Sequence, residues 1–117
     1  MKAGNELWYL DSRCSRHMSG NGSLFTEIKR KKHENVTFSD NRVSKIIGIG
    51  KISKDLSKSL DDVYLVEGLK FNLLSISQVC DKGNNVIFKS SHCAVQNAHK
   101  NNTILYGPRI DHVYALT

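Results

Sequence analysis

The apolar run Leu7–Trp8–Tyr9–Leu10 leads directly into Asp11–Ser12, and Arg13–Cys14–Ser15–Arg16–His17–Met18–Ser19–Gly20 follows. A short run of aromatic and aliphatic residues that stops at Asp-Ser reads as a buried first strand ending at Asp11, with a polar turn behind it. That junction constrains the chain more than any other feature, because it fixes where a carboxylate leaves a strand.

The rest of the sequence agrees with a turn-rich β domain. Its 117 residues make one domain with room for a single core. A 39% hydrophobic and 24% charged composition is ordinary for a globular chain, and eight glycines with one proline argue against a low-complexity linker. No run approaches the roughly 18 apolar residues of a membrane span, so no membrane partner is expected. Met1–Lys2–Ala3–Gly4–Asn5–Glu6 has a basic residue but no apolar stretch behind it, unlike a signal peptide. Cys14, Cys80 and Cys93 make an odd count without framework spacing, which suits a reducing, intracellular setting.

The formal charge is +6, and much of it sits in Lys29–Arg30–Lys31–Lys32–His33, with Lys51, Lys54 and Lys58 further on. Such a run can neutralise phosphates weakly and without sequence preference, or it can be a solvated loop. No aromatic residue is interleaved with it, so the sequence lacks the stacking platforms of single-strand binders.

Along the chain, Ser15 to Ile28 reads as irregular. Val36–Thr37–Phe38 reads as a strand and Ser39–Asp40–Asn41 as a turn. Val43 to Ile52 is a second arm, in which Gly48 and Gly50 among isoleucines mark a bend or a close backbone approach. Val63–Tyr64–Leu65–Val66 is an inner strand ended by Glu67–Gly68. Ile76 to Asp81 reads as one or two helical turns closed by Gly83, and the spacing of Leu73, Leu74, Ile76 and Val79 favours helix from Leu73 onward. Val86–Ile87–Phe88 and Cys93–Ala94–Val95 form a hairpin. Thr103 to Tyr106 and Val113 to Leu116 close the chain around a Gly107–Pro108 turn.

With these elements placed, the chain resembles the protease region of a copia-type retrotransposon Gag-Pol polyprotein. Trp8 to Gly20 follow that family's W-x-x-D-S-G-x-S-x-H-M-T/S-G pattern with one main departure, Arg13 in place of glycine. Ile47 to Gly50, Val63 to Lys70 and Asn72 to Gln78 extend the match, and residues 103–117 resemble the lead-in to the pre-integrase segment.

The resemblance implies an all-β, small closed retropepsin-like barrel with one short helix, spanning 1–117, that cuts a polyprotein or peptide substrate as a homodimer. The chemistry needs two carboxylates sharing one proton, and this chain offers one Asp-Ser motif, so two-fold symmetry would pair Asp11 with its copy. Ser12 would brace the two loops, and Leu73–Leu74 would pack beneath them. Ile47, Gly48, Ile49 and Gly50 would lie in or beside a flap over substrate, with a β-bulge as the alternative for the two glycines.

Asp61 and Asp62 are adjacent, would point to opposite faces of a strand, and make no rival dyad. Glycine after Asp-Ser lets backbones approach closely. Arg13 would bring two cations to the dimer centre, and a nearby cation favours ionised carboxylates, so a weak or inactive enzyme is expected. Localisation would be cytoplasmic within virus-like particles, or nuclear.

No cofactor or metal is expected. Cys14-x-x-His17 with Cys80, His92 and Cys93 lacks two compact chelating pairs. Cys14 with His17 or His33 lacks an oxyanion hole. His17 and Met18 read as structural, and Trp8 as a core anchor. The other function class is a non-catalytic interaction module that keeps the fold and binds protein or nucleic acid through its basic surface.

Overall fold

The computed structural model describes residues 7–38, 40–55, 58–110 and 113–117. The Met1–Glu6 segment and Ser39 of the expected turn lie outside the described residues, as do the side chains of His33, Lys54 and Lys58. The chain is mostly β and divides into two compact units, one of residues 1–15 with Asn72–Thr117, the other of Arg16–Phe71.

In the first unit, β1 (Trp8–Asp11) lies between β6 (Asn72–Ser75), which it pairs in parallel, and β10 (Val113–Leu116), which it pairs antiparallel. The order continues through β9 (Thr103–Ile110) and β8 (His92–Asn97) to β7 (Asn84–Phe88). Helix α1 (Ile76–Asp81) joins β6 to β7 and ends where Gly83 takes a φ of +86°, as the glycine there suggested. Trp8, Leu74, Val79, Cys93, Val95, Leu105, Ala115 and Leu116 are buried in this unit. Trp8 is the anchor its size suggested.

In the second unit the order is β3 (Phe25–Thr37), β4 (Val43–Asp55), β5 (Lys58–Val66), β2 (Met18–Ser19), with a 3-10 turn at Gly22–Leu24. The β3–β4 turn closes through Phe38 N–H to the Arg42 carbonyl at 2.8 Å, with Asn41 at a φ of +69°. Met18, Ile46, Ile52, Val63 and Val66 are buried. His17, also buried, accepts the Tyr64 N–H through its backbone carbonyl at 2.9 Å, just before β2 begins.

Four expectations need correction. Among the described residues neither unit's strand order returns to its start: one runs from β6 to β7, the other from β3 to β2, so the sheet is not closed. The irregular stretch ends at Leu24, and Lys29 to Lys32 lie on β3 rather than in a loop. Polar alternation hid this strand, because its side chains face water while its backbone pairs with β4.

The helix runs from Ile76 to Asp81, the bounds expected for it, but Leu73 and Leu74 do not extend it and belong to a strand. Pairing with Tyr9 and Leu10 of β1 holds them extended, and short apolar runs do not distinguish the two states by spacing. Gly107–Pro108 is no turn but the interior of β9, with Pro108 opposite His92 of β8. A Cβ at Gly107 would stand 1.8 Å from the Ala115 carbonyl oxygen, so glycine there serves strand approach.

Candidate active site

Asp11 is the last residue of β1, and Ser12 and Arg13 turn away from it. Its carboxylate is held from within the chain. Oδ1 accepts the backbone N–H of Arg13 at 2.8 Å, and Oδ2 accepts the Cys14 thiol at 3.4 Å. The first contact is an Asx-type turn, which makes an Asp at this strand end a conformational choice as well as a chemical one.

Arg13 turns its Nε to 3.9 Å from Asp11 Oδ1, with its side chain 77% exposed. An ion pair that long and that exposed contributes little to stability. Arg13 also costs the backbone nothing special, since the non-glycine residues with positive φ among those described are Asn41, Asp62 and Asn101. The glycine of the resembled motif is therefore not needed here for its conformational freedom.

Cys14 is partly buried, and burial first, then the charge of Asp11 and its hydrogen bond, push the thiol up to about 12. It stays protonated at neutral pH, a donor to Asp11 rather than a nucleophile. One residue that the sequence reading missed anchors this loop. Ser75, fully buried, donates from Oγ to the Cys14 carbonyl at 2.7 Å. The same Oγ caps α1 by accepting the Gln78 N–H at 3.2 Å. The signal was present as Ser75-Ile76-Ser77-Gln78, a Ser-x-x-Gln capping pattern. In register, Asp11 stands opposite Ser75 and Leu10 opposite the buried Leu74.

The structure thus brings Asp11, Arg13, Cys14 and Ser75 together in the first unit, with Ser12 exposed on the turn. Ile47, Gly48, Ile49 and Gly50 belong to the second unit, inside β4 and between β3 and β5. A Cβ at Gly50 would lie 1.9 Å from the Glu27 carbonyl oxygen and one at Gly48 2.8 Å from that of Lys29. Register shifts on the β5 side bracket both glycines. Close strand approach and bulging account for them locally. Among the described residues no group of three or more His, Cys, Asp or Glu side chains is arranged to hold a metal ion.

The Asp11 loop can offer one carboxylate, 24% exposed, at the mouth of a strand pair and oriented by two donors. A single carboxylate of this kind supports hydrolysis only with a second one facing it. A family model described as "Pol polyprotein, beta-barrel domain" matches residues 8–84, from β1 through α1. No curated protein and no solved structure matches the chain.

Proposed function

Since the chain belongs to the Pol polyprotein, beta-barrel domain family, we propose that it is an aspartic-endopeptidase-type domain of a copia-type retrotransposon polyprotein, impaired by Arg13. The observation that supports this most is the Asp11 turn. It presents an oriented carboxylate where a strand ends, with a polar residue, Ser12, directly after it on the exposed side. In the proposed mechanism two chains each contribute Asp11; one carboxylate accepts a proton from water while the other, protonated, donates to the substrate carbonyl. Cys14, whose thiol is a donor, positions the carboxylate and takes no proton from water.

Arg13 interferes in two ways. Its exposed side chain lies beside the carboxylate, with Nε 3.9 Å from Asp11 Oδ1, and would obstruct a second chain and substrate there, and a dimer would carry two such cations. Replacing it with glycine is expected to raise turnover of a quenched-fluorescence peptide spanning a polyprotein junction by about tenfold or more, the equivalent of ~1.4 kcal/mol in barrier. Adding Asp11→Ala should abolish that gain, and a statine-type inhibitor should block it. Wild type already as fast as Arg13→Gly would show that Arg13 is tolerated. Activity that survives Asp11→Ala would rule out the aspartic mechanism.

A further inference from the structure

In the second unit, tertiary structure supplies what the basic run lacks along the chain. Tyr64 of β5 has the Arg16 guanidinium carbon 5.6 Å and the Lys31 ammonium 5.8 Å from its ring centroid. Lys29 stands opposite Ile49 of β4, and Ile49 opposite Tyr64, so the three residues form one row across three strands. Two strand spacings put the Lys29 backbone about 10 Å from that of Tyr64 on the same face. Glu34 pairs with Lys31 at 2.9 Å, the carboxylate that the structure records against this cluster.

Arg16 and Lys31 crowd one ring and repel each other, and the Glu34 carboxylate, partly exposed, offsets only part of that charge. Such a cluster is suited to a ligand that carries both anions and a flat π surface. We propose that the face carrying Arg16, Lys29, Lys31 and Tyr64 binds single-stranded nucleic acid, with one base stacked on Tyr64 and the cations on flanking phosphates.

The chemistry selects the strand state. A ring set on a sheet face can stack only on a base that is free of a partner. A cation now resting against Tyr64 moves to a phosphate as the base takes its place. Acidic polypeptides would satisfy the cations but leave the ring without a partner. The site lies within the second unit and does not depend on Asp11 or on any protease activity.

The test is fluorescence anisotropy of the full chain with a labelled oligouridine of about fifteen nucleotides, a duplex of equal length, and polyglutamate as competitor. Tyr64→Leu should weaken single-strand binding about tenfold and leave duplex binding unchanged, while Tyr64→Phe should bind as wild type. Lys29→Gln and Arg16→Gln should each flatten the log–log dependence of affinity on salt by about 0.7. A folded Tyr64→Leu that binds oligouridine as wild type does would overturn the proposal. So would a wild type that prefers duplex, or displacement of the RNA by polyglutamate at equal charge, which would assign the face to acidic polypeptides. If Tyr64→Leu does not fold, the exposed Lys29 decides: an unchanged salt slope in Lys29→Gln overturns the proposal equally.

Discussion

Cys14 and Ser75 control how the Asp11 loop responds to chemistry and to mutation. The folded state raises the Cys14 thiol from an ordinary 9.0 to about 12. A group raised on folding contributes stability that is complete below its unfolded value and is lost as pH climbs through the folded one. Wild type should therefore lose more stability than Cys14→Ala between about pH 9 and 12, read as urea midpoints. Cys93 is also raised, chiefly by burial, and both variants retain it, so the difference isolates Cys14. In alkylation at pH 8 the exposed Cys80 should react first, and Asp11→Asn should accelerate Cys14 without affecting Cys93. Ser75→Ala strips a partner from both the Cys14 carbonyl and the Gln78 N–H. It should cost about 1–2 kcal/mol in urea unfolding, more than a cap substitution exposed to water. Asp11 was legible at this scale because an apolar run ending in Asp-Ser is a local pattern. Ser75 was legible only as a cap; its bond to a carbonyl 61 positions away could not be read from neighbours in sequence.

At the scale of elements, the glycines of β4 rank themselves by what a methyl group would meet. Gly50→Ala places Cβ 1.9 Å from the Glu27 carbonyl oxygen, Gly48→Ala 2.8 Å from that of Lys29, and Gly22→Ala 3.7 Å from a Leu65 methyl. The first two obstacles are backbone on a paired strand, so relief requires moving β3. Gly50→Ala should cost about 3 kcal/mol or prevent folding, Gly48→Ala about 1–2, and Gly22→Ala close to nothing, by thermal or urea melts. The sequence offered a bend or a close approach for this pair of glycines, and the packing of β3 on β4 favours the second. The same contrast explains β3 itself. Its Lys-rich half shows no apolar alternation, yet it pairs from Phe25 to Thr37 with β4, because backbone hydrogen bonds to a neighbour do not require apolar side chains. Leu73 and Leu74 went the other way, since pairing with β1 outweighed helical spacing.

For the whole molecule, one Asp-Ser motif in a 13.2 kDa chain makes oligomeric state the decisive property of the protease reading. Specific activity of Arg13→Gly should fall on dilution. Mixing it with excess Asp11→Ala chains should suppress it further, because a mixed dimer holds only one carboxylate of the pair. Sedimentation should show a monomer–dimer equilibrium over the same concentrations, and a monomer active at all dilutions would defeat the two-chain mechanism. The order of apolar runs and turn residues by itself determined that this is a β-rich chain with one short helix, and that a carboxylate sits where the first strand stops. Those properties arise from side-chain alternation and turn chemistry within a few residues. Only the tertiary structure decided that β1 pairs with β6 and β10, that Ser75 holds the Cys14 carbonyl, that Gly107–Pro108 continues a strand, and that Tyr64 gathers Arg16 and Lys31. Each of these joins residues distant in sequence, or overrides a local turn preference through such a pairing, and the free energy that selects among strand partners comes from the packed whole.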